Sequence, residues 1–199
     1  MKINVNENET KKPIFYVFSG IEKTLMGKDF INSYYNGHTH VHGFKYLDPD
    51  CVEALDYLLE KLEEKYDTRL VITSKRRENQ RACEIYLKQN NLKYNKPIFF
   101  TKFVSGPRGE KIVDFLEQEG ATPLAYHTSP LYVRLLKYFK DNPDFKNYVV
   151  LEGANKGLSK YIPKQQLKKI NSSTGFNKDT ANDILIDNGI IIVEFDMDD

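Results

Sequence analysis

Tryptophan is absent, cysteine occurs twice and histidine four times in the 199 residues. Two thiols, Cys51 and Cys83, cannot build a disulfide framework, so reduced thiols in a cytoplasmic protein are expected. No apolar run approaches the roughly 18–20 residues that cross a bilayer, and no membrane partner is expected. The opening stretch, MKINVNENETKK, lacks the apolar middle of a secretory signal. Neither sign of charge is in excess. Lys and Arg number 29 against 28 Asp and Glu, a net charge of +1, which excludes a polycation that holds nucleic acid through its overall charge. Bulky aromatic residues, by contrast, are plentiful: 12 Phe and 13 Tyr supply the core of one domain large enough to fold without staples.

The chain divides into a polar tail (1–12), one α/β domain (13–195) and an acidic tail (196–199). PIFYVFS (13–19), RLVIT (69–73), PIFFT (97–101) and NYVVL (147–151) are short apolar runs of the kind that form buried parallel strands. A shorter strand is expected near 167–171, and a last one in IIIVEF (190–195). Asp48-Pro49 opens a helix as N-cap and first residue, followed by Leu55, Leu58, Leu59, Leu62 and Tyr66 at helical spacing. Further helices are expected at about 76–90, at 109–120 with Gly120 just past the end, from Ser129-Pro130, and near 178–186. Strands alternating with helices predict a three-layer, Rossmann-like α/β domain with a mostly parallel sheet. Ligands bind such sheets at the carboxyl ends of the strands. The segments there read GIEKTL, SKRR, KFVSGPRGEK and EGANKG.

Five segments carry a resemblance: VFSGIEKTL, LDPDCVEALDYLLEKL, LVITSKRR, PRGEKIVDFL, and YVVLEG followed by INSSTGFNKDTANDIL. Their order resembles the haloacid dehalogenase-like phosphatase superfamily over roughly 13–187, and within it the domain of Swiss Army Knife RNA repair proteins. The resemblance implies a small cap-like insertion at about 26–43. It places Gly20 where the family has its nucleophilic Asp, Glu22 at the general acid/base and Lys23 at a Gly. Thr73 and Ser74 match the hydroxyls that bind a phosphate oxygen, Arg77 matches a family Arg, and Arg76 stands in place of a Trp. Arg108 and Lys111 are the candidates for the phosphate-neutralising cation, and Glu152-Gly153 replaces an Asp pair that holds Mg²⁺.

Glycine cannot attack phosphorus, so the family's aspartyl-phosphate chemistry is expected to be lost. Glu22 and Glu152 would hold Mg²⁺ only weakly, because that ion demands near-ideal octahedral geometry. The implied function is therefore a phosphatase-derived domain that binds a phosphate-bearing ligand, a nucleotide or a nucleic-acid end. Glu22, Thr73, Ser74 and Lys111 would be inherited from the catalytic set, with Arg77, Arg108, Lys111 and Lys156 as ligand contacts. Gly20, Thr73, Ser74, Lys111 and Glu152 should then converge at one edge of the sheet. Two other readings stay open. One is an active metal-dependent phosphoesterase using Glu22 and Glu152 with a metal-activated water. The other is a non-catalytic interaction module.

Three histidines fall in GHTHVHG, at His38, His40 and His42. Alternate residues of a strand share a face, so these imidazoles would suit Zn²⁺, Ni²⁺ or Cu²⁺; a solvated hairpin is the plainer reading. Lys75, Arg76, Arg77 and Arg81 form one basic cluster, and Lys156, Lys160, Lys164, Lys168 and Lys169 a second. Either is a solvated face or a contact for a phosphate polymer. Tyr34, Tyr35 and Tyr161 are candidates for base stacking or for packing.

Overall fold

The computed structural model describes residues 12–34, 45–120, 147–153, 157–162 and 166–190, apart from the side chains of 119, 120 and 152. Five strands form one all-parallel sheet: β1 (Ile14–Ser19), β2 (Asp67–Ile72), β3 (Phe99–Phe100), β4 (Tyr148–Glu152) and β5 (Leu167–Lys169). Their order is β3-β2-β1-β4-β5, so the first strand lies in the middle. The helices are α1 (Lys28–Tyr34), α2 (Pro49–Leu62), α3 (Gln80–Gln89), α4 (Arg108–Gly120) and α5 (Lys178–Asp187). No helix among the described residues is long and apolar enough to cross a membrane.

The unbroken apolar run of β1 has two partners because the strand is covered on both faces. Phe15 and Val17 join Leu70, Ile72, Val149 and Leu151 in a core closed by α2, α3 and α5. Tyr16 and Phe18 point the other way, with Val71, Tyr148 and Val150, into a core closed by Ile112, Val113 and Leu116 of α4. Phe18 meets Phe115 edge-on at 5.7 Å and Tyr148 at 6.1 Å. The result is the expected three-layer α/β domain.

Local chemistry sets the boundaries. Asp48 accepts a hydrogen bond from the Asp50 N–H at 3.0 Å, and Pro49 fills the first turn of α2, as expected. The helix expected at 76–90 is instead two pieces. A 3₁₀ turn (Lys75–Asn79) comes first, and the Asn79 side chain caps Ala82 N–H at 3.0 Å to start α3 afresh. β3 pairs over two residues rather than the five of PIFFT. β5 stops at Lys169, and α4 includes Gly120 rather than ending before it. Part of the expected insertion is helical, as α1. Its remainder at 35–44, the helix expected from Ser129-Pro130, residues 191–195 of the last expected strand and the acidic tail lie outside the described residues.

At the amino edge of the sheet, Glu63 just past α2 holds the start of β2. Its Oε1 accepts from Thr68 N–H at 3.2 Å, Thr68 Oγ1 at 2.5 Å and Lys96 Nζ at 2.5 Å, and Lys96 also pairs with Asp67. Burial pushes the Glu63 carboxyl up, but the bonds from Lys96 and Thr68 outweigh it and leave its pKa below the ordinary value. A carboxyl depressed in the folded state stabilises above its unfolded pKa, about 4.3, and loses that contribution as pH falls through the folded value. Glu63→Gln is therefore expected to lower the melting temperature at pH 7. The loss is under about 1 kcal/mol, because the site is partly exposed. Thermal melts from pH 7 to pH 3 should show the gap closing in the acid range. A gap that stays constant contradicts this role for Glu63.

Candidate functional site

β1, β2 and β4 end in step, with Ser19 opposite Ile72 on one side and Leu151 on the other. The ladder continues one residue further. Gly20 N–H donates to Leu151 O at 3.3 Å, Thr73 N–H to Ser19 O at 3.0 Å and Thr101 N–H to Ile72 O at 3.2 Å. The segments after β1 to β4 thus leave from one edge, which brings Gly20, Thr73, Ser74 and the Glu152 backbone together. The chain runs outward from β1 to β3 and returns to β4 on the other side of β1. That reversal is the topological switch point at which open parallel sheets bind ligands.

The loops after β1 and β4 lie on one another. Gly153 N–H donates to Thr24 Oγ1 at 3.2 Å. A β-carbon on Gly153 would sit 1.9 Å from Lys23 O, so a side chain there collides with backbone. Glycine at position 153, where the resemblance would put a carboxylate, is therefore a packing requirement of this edge. Lys23, at the position the resemblance gives to a glycine, has φ +63, the left-handed conformation that glycine adopts without strain.

Glu22 is not a free carboxylate. Its Oε2 accepts from Ser74 Oγ at 2.9 Å and its Oε1 from Arg76 Nε at 2.7 Å. The Arg76 guanidinium in turn lies 4.1 Å from the centre of the Tyr86 ring. Arg76 thus balances the charge of Glu22, the residue that the resemblance gives as acid/base. Both Glu22 oxygens are engaged with a hydroxyl and a cation, which is a poor fit to the Mg²⁺ expected at Glu22 and Glu152. Among the described residues no three His, Cys, Asp or Glu cluster as metal ligands. The Glu152 side chain, His38, His40, His42, Tyr35 and Lys156 lie outside what is described.

Arg77, expected to contact ligand, is 7% exposed and is used by the protein itself. Its Nε donates to Thr101 O at 3.0 Å, and its Nη1 to Thr73 O at 2.7 Å and Ser74 O at 2.9 Å. It positions the ends of β2 and β3. Burial first, and the positive charge of Arg108 second, pull its pKa below the ordinary value. The phenyl ring of Phe103, in the loop after β3, lies 5.3 Å from this guanidinium.

Two polar groups at this edge have no partner among the described residues. The Thr73 hydroxyl is buried and unbonded. Side-chain alternation from Val71 puts it on the face covered by α4. Lys111, one turn into α4, is only 8% exposed; its backbone N–H donates to Pro107 O, while its ammonium makes no ion pair or hydrogen bond among the described residues. Its Nζ lies 3.2 Å from where a β-carbon on Gly106 would stand. The amino end of α4, with its partial positive charge, opens beside them.

Other candidates serve the fold. Tyr161 packs against Gly109 in the first turn of α4, and Lys168 pairs with Asp187, which breaks the second basic stretch. Tyr34, in α1, is exposed and stacks on Phe30 at 5.3 Å. Burial, then Asp48, pushes the Cys51 thiol up to about 12, and burial pushes Cys83 up to about 11, so neither is a nucleophile. Sequence reasoning missed three contacts: Arg76 on Glu22, Gly153 on Lys23, and Phe103 on Arg77. Only Arg76, where the resemblance leads one to expect a Trp, carried a signal.

Lys23→Gly should raise stability by up to about 1 kcal/mol in urea unfolding, since it relieves the left-handed backbone. Gly153→Ala should lower it by about 1–3 kcal/mol, because the Lys23 carbonyl must move. Neutral behaviour of Gly153→Ala contradicts the packed-loop geometry. Compared with family models, curated proteins and solved structures, the chain matches none, so its chemistry has to be read from its own residues.

Proposed function

We propose that this is a phosphatase-derived domain of haloacid dehalogenase-like ancestry that binds a phosphate-bearing ligand, a nucleotide or a nucleic-acid end, without forming a phosphoryl-enzyme. The observations that carry this reading are a buried, unbonded hydroxyl at Thr73 and, at the same sheet edge, a nearly buried ammonium at Lys111 with no ion pair among the described residues. An unmade hydrogen bond and an uncompensated charge each destabilise a fold. A phosphate oxygen satisfies both at once, accepting from Thr73 Oγ1 and Lys111 Nζ. The amino end of α4 supplies further N–H donors. Arg77 adds positive potential, since its hydrogen-bond partners among the described residues are carbonyls and not carboxylates.

The same groups explain why binding stops short of transfer. Gly20, the residue after β1, has no side chain to attack phosphorus. Glu22 is engaged at both oxygens, by Ser74 and by the Arg76 guanidinium. The metal-activated-water alternative needs that same carboxylate released, so the geometry favours binding over hydrolysis.

Thr73→Val separates binding from folding. Removing an unsatisfied buried hydroxyl should stabilise the unliganded protein by about 1 kcal/mol, while loss of a hydrogen bond to a charged group should weaken phosphate binding roughly tenfold or more. Lys111→Met should weaken it too and reduce its salt dependence. Titration of inorganic phosphate against wild type and both variants, followed by calorimetry and thermal melts, measures this. Unchanged phosphate affinity in Thr73→Val, or no phosphate binding by the wild type at low salt, overturns the reading and favours the interaction module.

A further inference from the structure

We infer that Phe103 is a stacking platform for a nucleobase, so that the phosphate held at Thr73 and Lys111 belongs to a nucleoside phosphate; this rests on the phosphate reading above. Phe103 lies three residues beyond β3, in the loop that leads to α4, on the same edge as the anion site. It is 48% exposed, and its neighbour Val104 is 47% exposed. Large apolar groups side by side at the rim of a polar loop need a reason, and folding does not supply one: neither residue belongs to either core.

The ring is nonetheless anchored. The Arg77 guanidinium lies 5.3 Å from its centroid, and that guanidinium is fixed by three carbonyls at the ends of β2 and β3. A cation over an aromatic face holds the ring in place. A ring fixed before the ligand arrives loses little freedom on binding. The same Arg77 bonds Thr73 O, so one side chain sets the spacing between the aromatic surface and the unbonded hydroxyl. The site therefore offers an anion pocket and a π-surface joined through one rigid group. Phosphate answers the first and a base answers the second. Stacking reads every base by its π-face, so the platform selects for the presence of a base rather than its identity.

The test compares inorganic phosphate, ribose 5-phosphate and adenosine 5′-monophosphate by calorimetry, on wild type, Phe103→Ala and Phe103→Tyr. Stacking on an aromatic residue contributes about 1–3 kcal/mol, so the nucleotide should bind wild type roughly 5–150-fold tighter than ribose 5-phosphate does. Phe103→Ala should erase that difference while leaving ribose 5-phosphate affinity unchanged, and Phe103→Tyr should keep it. If ribose 5-phosphate binds and the nucleotide binds no tighter, the platform is wrong while the phosphate site stands. If none of the three binds wild type, the phosphate reading fails and the platform falls with it. Should Phe103→Ala lose all three ligands equally, the ring serves only to support Arg77, and the inference is overturned.

Discussion

The carboxyl edge of this sheet is organised by one buried guanidinium. Arg77 donates to Thr101 O, Thr73 O and Ser74 O, three carbonyls that leave the ends of β2 and β3. Those carbonyls lie beyond the last ladder bonds and, buried without a donor, each would be a loss to the fold. A charged group taken out of water costs free energy unless hydrogen bonds replace its hydration, and here three carbonyls do so. Among the described residues no carboxylate bonds this guanidinium, so its partners leave its positive charge in place. Fold and electrostatics at this edge therefore share a cause. The side chain that closes the ends of two strands also makes the crevice attractive to anions, and it carries Phe103 on its outer face.

The groups around this centre are engaged locally. Gly20 follows β1 without a side chain, Glu22 is clasped by Ser74 and Arg76, and Gly153 is pressed against the Lys23 carbonyl. Among the described residues, the Thr73 hydroxyl is left without a hydrogen-bond partner and the Lys111 ammonium without an ion pair. A left-handed Lys23 persists at the switch point, and strain that survives at such a place accords with a site kept for binding.

Much of the fold was legible because it rests on local patterns. The apolar runs at 13–19, 69–73 and 147–151 became the three central strands, since only doubly covered strands tolerate such sequences. Asp48-Pro49 marked a helix start by capping chemistry that needs no distant partner. The break at Asn79 was missed because helical periodicity runs straight through a side-chain cap. At the candidate site, the positions of Thr73 just after β2 and of Lys111 in the first turns of α4 were legible from the strand and helix patterns. The role of Arg77 was not. Its partners include Thr101, 24 residues away, and nothing in the spelling of SKRR separates an arginine that binds carbonyls from one that faces solvent. The Gly153 contact is hidden for the same reason, since a close approach of two loops distant in the chain leaves no periodic trace.

The central claim is that the unbonded hydroxyl and the unpaired ammonium are two halves of one oxyanion site. Tungstate has phosphate's tetrahedral shape and charge and scatters anomalously, so crystals grown without other oxyanions and soaked in it test the claim directly. The account expects an anomalous peak whose oxygens lie within hydrogen-bond distance of both Thr73 Oγ1 and Lys111 Nζ, beside the amino end of α4. Tungstate bound only elsewhere, with the Thr73 hydroxyl bonded to a protein carbonyl, would contradict it.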